Sequence, residues 1–589
     1  MGCSSSRCAE GFSSEHQQNA PMWVVSVEKV LGMTGKLQPH QVLKSQGLLV
    51  EWNPKMFTIF VSHKWLGHQY PDMKGEHFEV LKGFLQNLIA RKIKVENDAV
   101  SQFFGGNRTL TKAENDQIEG AYIWLDYFCV PQIVNYEGEH ELEALRAEQL
   151  QYVHSIPAYV DHCQMFFALV PNAMHNDTLS NVNYYTWLDS GWCRTEFWCK
   201  LLSTRSNIPI IVVTGKQAAK FSMPMWFRHP VHSGQFLVER DREACSQVIQ
   251  TALDKHLSEL SRSKNQMSYR LYLALYEDMG GLKCKQRSMQ DFLWEFSFSQ
   301  PLQQYKGLGP AACAALTGDD QLLRSVVAAK ASLQTRAPAI MEVMNIQGFT
   351  PLHFAVWFRS QDLQILETLL ELRADVNSST LSAMPPVHLC RTVGALELLV
   401  RHGAGVNFQG KQLPQWCAVH NMAAYSVPTE VLARLLELKA NVNGGRGGTA
   451  TQSPLHSIAY AGSSNNDLRS AQLLLDNKAD INQVLRPEGM MRNIELMSRA
   501  YRQCCREPSL VLRVLTDLST TALGWSVMFD NEEFMVFLLR ARADPEIKNN
   551  RGLRPLDFAK SERLRRILRD PAPHIYLLEH YSESISNFL

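Results

Sequence analysis

The first half of the chain alternates short apolar runs with amphipathic stretches. Four apolar runs are rich in β-branched or aromatic residues, and they lie at residues 57–63, 121–126, 165–170 and 208–214. Stretches with helical spacing of apolar residues separate these runs, at residues 77–90, 141–162 and 192–204. Strands that alternate with helices are typical of a parallel sheet covered on both faces. The pattern therefore predicts an α/β parallel-sheet domain.

Flanking segments extend this α/β domain on both sides. Residues 23–49 are predicted to form a helical lead-in, and residues 235–239 a fifth strand. Two amphipathic helical stretches follow, at residues 241–260 and 268–298. The glycine-containing segment at residues 305–310 is predicted to be the boundary with the second half of the chain.

The second half of the chain repeats a short pattern. The sequence T-P-L-H-F-A at residues 350–355 opens one unit, and R-A-D-V-N at residues 373–377 closes it. The histidine recurs at intervals of 35, 32 and 36 residues, as His353, His388, His420 and His456. Thr350 suits a helix N-cap, and Pro351 suits the first helical position because its missing N–H would be unpaired there. One pair of short helices cannot bury its apolar face alone, so several pairs must stack.

A period near 33 with a T-P-L-H-x-A signature resembles the ankyrin repeat, and the resemblance covers residues 308–571. It implies an all-α ankyrin-repeat solenoid of about six to seven repeats, one of them degenerate, with a concave face that binds a protein partner. Residues 486–517 break the pattern, either as a degenerate repeat or as an inserted loop. Four residues of that segment are expected to pack in the core: Met490, Met491, Cys504 and Cys505.

Polar residues follow the ends of the predicted strands. Ser62, His63, Lys64 and Trp65 end the first strand, and Asp126 ends the second. Ligands of open parallel sheets bind beyond the carboxyl ends of the strands. These five residues are therefore predicted to border a ligand site at one edge of the sheet.

A helix further along the chain opens with G-W-C-R-T-E at residues 191–196. The order of the elements, with strands that end in Ser62, in Asp126 and before Pro171 and then a W-C-x-x-E helix, is that of a TIR (Toll/interleukin-1 receptor-like) domain. The chain resembles this family from about residue 56 to residue 215, which implies a flavodoxin-like sheet. The W-L-D-x-x-C-x-x-Q pattern at residues 124–132 also resembles the motif of the related fungal heterokaryon-incompatibility (HET) domains.

Some TIR domains cleave the nicotinamide–ribose bond of NAD with a glutamate on the W-C-x-x-E helix, and Glu196 matches that residue. A carboxylate suits the reaction, because bond cleavage builds oxocarbenium character on the ribose that a fixed negative charge stabilises. The resemblance implies that Trp65 stacks on a ring of NAD. It also implies that Ser62, His63 and Lys64 contact phosphate or ribose hydroxyls.

The same residues also fit a structural role. Glu196 lies in the first turns of its helix, where a carboxylate favours the helix dipole, and Lys200 is a candidate partner four residues on. His63 is a single histidine beside a strand end, and Asp126 suits a loop cap. A TIR domain without enzymatic activity, used for self-association, retains much of this pattern. Residues 92–120 form an insertion relative to a compact TIR domain and change the loops around any site.

Composition disfavours several other classes of protein. The 589 residues carry a net charge of +1, so the chain lacks the basic footprint of a nucleic-acid binder. The 13 cysteines form no C-x-x-C pair and have no zinc-like spacing, which favours a reduced, cytosolic chain and predicts no metal site. The sequence has no G-x-x-x-x-G-K-[ST] loop and no G-x-G-x-x-G turn after a strand, which disfavours a nucleotide-binding switch.

The first eight residues, M-G-C-S-S-S-R-C, fit the N-myristoylation pattern, with Gly2 after the initiator Met. One myristoyl chain holds a protein only marginally, with a binding constant of roughly 10⁴ M⁻¹, so a second signal is needed. Arg7 is the only Lys or Arg among the first 20 residues, so Cys3, with Cys8 as a further site, is expected to be palmitoylated. The alternative is a Ser-rich flexible start that matches a short pattern by chance.

The predicted organisation is a two-module signalling protein. Residues 1–20 form an acylated N-terminus, 21–50 the lead-in, 51–304 a TIR-like domain with a helical extension, 308–571 the ankyrin repeats and 572–589 a tail. The predicted function is an adaptor, tethered to the cytoplasmic face of a membrane, that captures a protein partner and forms a homo-oligomer through its TIR-like domain. The alternative is an NAD glycohydrolase activated by clustering, with NAD as substrate. Neither function requires a cofactor.

We expect Gly2→Ala to release the full-length protein from membranes, because N-myristoylation requires the glycine at position two. Cell fractionation should find this variant mainly in the soluble fraction. Gly11→Ala changes the same residue type in the same segment and should stay with the membranes. A Gly2→Ala protein that remains in the membrane fraction would refute acylation as the anchor.

Overall fold

A computed structural model gives the fold of the chain. It describes residues 18–97, 102, 108–133, 138–203, 208–222, 229–305, 307–338, 347–380, 384–409, 416–424, 427–444, 452–461, 465–505 and 508–570. The chain divides into two compact units, one of residues 1–101 with 107–284 and the other of residues 102–106 with 285–589. The finer module boundaries that the sequence predicts stay predictions.

An eight-stranded mixed sheet forms the core of the first unit. Its strands are β1 (Trp23–Ser26), β2 (Val50–Glu51), β3 (Thr58–His63), β4 (Glu96–Asn97), β5 (Tyr122–Leu125), β6 (Met165–Leu169), β9 (Ile210–Gly215) and β10 (Ala218–Ser222). They lie in the order β2-β1-β5-β3-β6-β9-β10-β4. A separate two-stranded pair consists of β7 (Ala173–Met174) and β8 (Asn181–Val182). The four predicted strands are β3, β5, β6 and β9, and neighbours among them are parallel.

Two predictions at the margins of the sheet are wrong. The lead-in begins with β1, which pairs antiparallel with both β2 and β5, because Val24 and Val25 are fully buried there. The sheet is therefore mixed and not purely parallel. Residues 235–239 form no strand: Gln235 makes a single bridge to Ser190, and the Leu237 side chain is 72% exposed. A residue this exposed gives a strand no face to bury.

Helices pack against this sheet and extend the first unit. They are Val27–Gly32, His40–Ser45, Glu76–Ile89, Lys112–Asp116, Asp126–Cys129, Glu139–His154, Ile156–His162, Tyr184–Asp189, Gly191–Leu202, Arg240–Arg262, Gln266–Ala274 and Tyr276–Met279, with a 3₁₀ turn at Val231–Ser233. The predicted helix at residues 141–162 is two helices, because Pro157 occupies the start of the second one, where proline is tolerated. Gly191–Leu202 packs on β3, which places the W-C-x-x-E motif beside Ser62 and His63.

The second unit is a stack of short helices. They are Met289–Glu295, Pro310–Thr317, Asp320–Ala328, Pro351–Phe358, Leu363–Glu371, Val393–Arg401, Ala418–Ala424, Thr429–Glu437, Pro454–Ala461, Asn465–Asp476, Gly489–Arg502, Leu510–Thr516, Ala522–Met528, Glu532–Arg540, Pro555–Phe558 and Glu562–Arg569, with 3₁₀ turns at Leu302–Gln304 and Pro386–Leu389. Most follow the helix–turn–helix pattern of the predicted repeats. Pro386–Leu389 is a single 3₁₀ turn where the other repeats have an α-helix.

Four buried histidines tie neighbouring repeats together. The pKa of His353 is lowered to about 4 by burial, so its ring is neutral. Its Nδ1 accepts the N–H of Thr350 at 3.2 Å, so the proton lies on Nε2 and is donated to the carbonyl of Met384 at 2.9 Å. Three more inter-repeat contacts follow the same pattern: His388 to Phe408 at 3.2 Å, His420 to Gln452 at 2.5 Å and His456 to Thr520 at 3.0 Å.

Asparagine side chains form a second ladder along the closing turns of the repeats. Each accepts a backbone N–H from the closing turn of the following repeat. The bonds run from Gly405 to Asn377 at 3.2 Å, from Asn441 to Asn407 at 2.8 Å, from Asp480 to Asn443 at 2.9 Å and from Asp544 to Asn482 at 2.9 Å. Both ladders satisfy polar groups that stacking would otherwise remove from water.

Residues 486–519 are an insertion between two stacked repeats. Both ladders pass over this segment, since His456 bonds to Thr520 and Asn482 bonds to Asp544. The N–H of Leu485 donates to the carbonyl of Thr520 at 3.1 Å, so the two ends of the insertion lie side by side. The degenerate-repeat interpretation does not fit this arrangement. Instead of a loop, the insertion holds the helices Gly489–Arg502 and Leu510–Thr516.

The expected packing role is wrong for two residues of the insertion. Met490 is 63% exposed, and Cys504 is exposed. Met491 and Cys505 are partly exposed. Met490 faces solvent because the helix Gly489–Arg502 buries the polar Glu495 and Ser498 instead, and Cys504 lies beyond the end of that helix.

Asp517 fixes the insertion to the last repeats. Its carboxylate is 3% exposed and accepts hydrogen bonds at 2.9 Å from Arg502 of the insertion and from Asn549 and Arg551 beyond it. Burying a carboxylate is costly unless charged donors surround it. The three donors therefore make Asp517 the polar anchor between the insertion and the end of the array.

We expect Asp517→Asn to lower the free energy of unfolding of the second unit by about 3 kcal/mol, the low end for breaking a buried ion pair. The low end applies because Arg502 and Arg551 are each about one-third exposed and regain water. Urea unfolding of the full chain, followed by hydrogen exchange of residues 522–540, measures the loss. Asp476→Asn, at an exposed position, is the control and should change stability by less than about 0.5 kcal/mol. Equal stability of the two variants would contradict the anchor.

Candidate functional site

The carboxyl ends of two parallel strands bring most of the predicted site residues together. Ser62 and His63 are the last residues of β3, and Asp126 begins the helix directly after β5. Since β3 and β5 are parallel neighbours, their ends lie at the same edge of the sheet. Glu196 comes to this edge on the helix Gly191–Leu202.

Asp126 is the acceptor at the centre of this edge. The Nε2 of His63 lies 3.3 Å from Oδ1, the indole N–H of Trp65 donates to Oδ2 at 2.8 Å, and the N–H of Tyr127 donates to Oδ1 at 2.6 Å. Burial raises the pKa of Asp126, but these hydrogen bonds outweigh it and hold the pKa below the usual range. Asp126 is therefore an anion at neutral pH, and its side chain is 30% exposed.

The pKa of Glu196 is shifted in the opposite direction. Burial raises its pKa well above the ordinary value, the negative charge of Asp126 raises it further, and a hydrogen bond with Ser62 only partly offsets both. Ser62 also accepts the indole N–H of Trp187 at 2.9 Å. The pKa values of Glu196 and Asp126 are thus shifted in opposite directions, a separation that acid–base sites use.

Lys64 and Lys200 do not join the two carboxyl groups. Lys64 donates to the carbonyl of Thr186 at 3.3 Å. Lys200, the predicted partner of Glu196, is buried, and its ammonium group has no hydrogen-bond partner among the described residues. Burial lowers the pKa of Lys200 to about 8. The ion pair between Glu196 and Lys200 that helix spacing suggested is absent from the described part of the chain.

His77 is a site residue that the sequence did not single out. Its ring packs edge-on against that of His63, with centroids 5.9 Å apart. It is 1% exposed, and neither ring nitrogen has a hydrogen-bond partner in the described residues. Burial, with a further contribution from His63, lowers the pKa of His77 to about 3. In sequence His77 is one position on a helix face, so only the fold could bring it to His63.

Solvent reaches this edge poorly. Glu196 is 8% exposed, so a ligand must displace protein atoms to touch it. Two cavities of about 420 and 200 Å³ open at the amino ends of the parallel strands, the opposite edge of the sheet. The larger is lined by Asn53, Lys55, Met56, Phe57, Asp116, Gln117, Gly120 and Tyr122, and the smaller by Trp52, Pro54, Asp161, His162, Cys163 and Gln164.

His68, His175 and Asp177 bring three metal-type ligands within 4.8 Å of one another. The hydrogen bonds among these residues, however, hold a folded turn together. Nδ1 of His175 accepts the N–H groups of Asp177 and Thr178 at 3.3 and 3.2 Å, which occupies its lone pair. Asp177 accepts the N–H of His68 at 2.7 Å. The cluster therefore closes two loops on each other.

The remaining predicted site residues, Gly2, Cys3 and Cys8, lie outside the described residues. Their acylation stays a prediction. Every helix in the described part of the chain is too short or too polar to span a bilayer.

Aromatic side chains line up along three consecutive repeats of the second unit. Trp416 stacks on Tyr460 with ring centroids 6.0 Å apart. Tyr460 in turn contacts Trp525 and Phe529, at 6.1 and 5.9 Å. Trp416, Tyr460 and Phe529 are partly exposed, whereas Trp525 is buried. This aromatic ladder, Trp416–Tyr460–Trp525–Phe529, offers the side chains that dominate protein–protein contacts.

The comparisons with known proteins give one family match and similar solved structures. A family model described as "Ankyrin repeat" matches residues 347–381. The human ASB11 ankyrin repeat domain is 18% identical over 44% of this chain and 96% of its own, with a TM-score of 0.31. The ankyrin repeat domain of Bcl-3, described as a unique member of the IkappaB family, is 20% identical over 45% and 100%, with a TM-score of 0.29. A search of curated proteins gives no match.

The second unit thus contains ankyrin repeats, as predicted, because the family model matches residues 347–381 and the helix pairs that follow share the same histidine and asparagine hydrogen bonds. Ankyrin repeats indicate binding of proteins. The matched residues do not include the first unit, so its resemblance to TIR domains stays a prediction.

We expect Glu196→Gln to remove a pH dependence from the stability of the first unit. Above its ordinary pKa of 4.5, Glu196 holds a proton in the folded chain and loses it on unfolding. The folded state then binds more protons, so the free energy of unfolding falls as the pH rises. The advantage of Glu196→Gln over the wild type should grow from pH 5 by up to about 1.4 kcal/mol per pH unit.

Urea unfolding at pH 5, 6 and 7, followed by hydrogen exchange of residues 191–202, measures this difference. Glu143→Gln changes an exposed glutamate and should follow the wild type at each pH. A difference between Glu196→Gln and the wild type that stays constant with pH would show that Glu196 is ionised in the folded chain.

Proposed function

We propose that the chain is an adaptor that captures a protein partner along its ankyrin array. The observation that carries this proposal is the aromatic ladder. Trp and Tyr supply large contact areas at a low entropic cost, and a partly exposed row of them across several repeats matches an extended peptide or domain surface. A net charge of +1 gives no support for a nucleic-acid partner.

The first unit serves self-association in this proposal, as a TIR-like domain. Its parallel core has the strand order β5-β3-β6-β9, in which the first predicted strand lies between the second and the third. That order fits the flavodoxin-like arrangement that the resemblance implies. The poor access to Glu196 favours a structural role for this edge.

A lipid anchor completes the proposed adaptor. Myristate on Gly2 and palmitate on Cys3 or Cys8 would hold the chain on the cytoplasmic face of a membrane. Two acyl chains give stable binding where one does not. Anchoring would concentrate copies in two dimensions and so favour self-association of the first unit.

A second function is NAD cleavage by the first unit. The observation that favours it is the Asp126 and Glu196 pair, with an anion that suits an oxocarbenium-like centre and a neutral acid beside it. The edge must open for Glu196 to touch a substrate. Release of nicotinamide from NAD by clustered full-length protein, lost in Glu196→Gln, would establish this function.

We expect the double variant Trp416→Ala, Tyr460→Ala to lose the partner. Affinity capture from cells, quantified by mass spectrometry, should show at least about tenfold less of any protein that the wild type enriches, because aromatic anchors carry most of the binding energy. Trp294→Ala is the matched control: Trp294 is 69% exposed in the same unit but lies outside the ladder. Equal capture by the double variant and the wild type, with both folded by circular dichroism, would overturn the proposed binding face.

A further inference from the structure

The helix Gly489–Arg502 of the insertion buries polar residues and exposes a stripe of apolar ones. Its buried residues are polar: Glu495 is 2% exposed and Ser498 is 9% exposed. One stripe facing solvent is apolar, with Met490 63%, Met497 72% and Tyr501 63% exposed. An ordinary surface helix buries its apolar stripe and exposes its charges.

The polar side cannot turn outward without breaking specific bonds. Glu495 accepts the hydroxyl of Ser519 at 2.7 Å and lies 2.9 Å from Arg499. Arg499 donates to the carbonyl of Thr516 at 3.1 Å, and Arg502 pairs with the buried Asp517. The helix is therefore held with its apolar side out.

The exposed side is a continuous stripe. Met490, Ile494, Met497 and Tyr501 follow one another at intervals of four, three and four residues, which is one face of an α-helix. Ile494 is partly exposed. The stripe is about 17 Å long at 1.5 Å per residue. Apolar patches of this kind mark interaction sites.

We propose that the C-terminal segment of this chain, residues 575–589, docks on this stripe. The segment lies outside the described residues and follows the last helix, Glu562–Arg569. That helix belongs to the repeat that the insertion contacts, since Arg513 donates to the carbonyl of Phe558 at 3.2 Å. The residues between 569 and 575 span up to about 20 Å when extended, which gives the segment reach.

The sequence of residues 575–589 matches the stripe in pattern and length. Leu578, Tyr581, Ile585 and Phe588 recur at intervals of three, four and three residues. This spacing favours a helix with one apolar face, the type of ligand that lies along an apolar helix or groove. Fifteen residues of helix are about 22 Å long, enough to cover the stripe.

The segment and the insertion carry charges of opposite sign. The segment contains Glu579 and Glu583 and no Lys or Arg. Arg486, before the helix, and Arg492, within it, are both exposed. Opposite charges on two partners steer their association.

Fluorescence anisotropy with a labelled synthetic peptide of residues 575–589 tests the docking. A chain that ends at residue 574 should bind the peptide saturably. The full chain should bind it at least about tenfold more weakly, because its own segment occupies the stripe at a high effective concentration. Failure of the shortened chain to bind, or equal binding by both chains, overturns the proposal.

Single substitutions locate the contact. In the shortened chain, Met497→Asp and Tyr501→Asp should each abolish binding, whereas Gln503→Asp, exposed at the C-cap of this helix and off the stripe, should not. In the peptide, Ile585→Asp should abolish binding, and Asn587→Asp, on its polar face, should not. Binding that survives both stripe variants overturns the proposal.

Two other occupants give different results. If the full chain forms a dimer by light scattering that Met497→Asp dissolves, a second copy covers the stripe. If the full chain sediments with phosphatidylserine vesicles and Tyr501→Asp releases it, a membrane covers the stripe. Either result overturns docking of residues 575–589.

Discussion

The second unit depends on buried imidazoles that donate hydrogen bonds from one repeat to the next. Burial lowers the pKa of His353, His388 and His456 so far that these rings carry no charge at neutral pH, whereas Cys417 outweighs burial at His420 and raises its pKa. In His353 and His456, Nδ1 accepts the backbone N–H that begins the helix, which a charged ring with two donors could not do. Burial thus keeps these two rings neutral, and the bond to Nδ1 leaves the proton on Nε2, which donates to the next repeat.

In the first unit, burial acts on the pKa values of two carboxyl groups. Burial beside an anion raises the pKa of Glu196, whereas three hydrogen-bond donors hold the pKa of Asp126 below its usual range. Both outcomes arise at the same sheet edge, a few side chains apart. The edge is thus already divided into an acid and a base, although it admits little solvent.

The sequence reveals those parts of the fold in which local pattern and burial agree. The four parallel strands are continuous apolar runs, and the repeats carry their own caps and histidines. Strand β1 was missed because four residues, Trp23–Ser26, are too short to show a period. The pKa shifts of Glu196 and His77 could not be predicted from the sequence, since each depends on neighbours more than ten positions away. The insertion was ambiguous because its helices carry no repeat signature, and only the bonds that pass over it distinguish it from a repeat.

The hydrogen bond between Leu485 and Thr520 brings the two ends of the insertion together and so creates a site in the array where a segment can be inserted. The chain leaves and re-enters at adjacent points, so a segment of another length or composition can occupy the gap while the repeats on either side keep their register. New recognition elements can thus be gained or exchanged here without any change in the number of stacked units. The repeats on either side thus form a constant scaffold, and the inserted segment is the part that can vary.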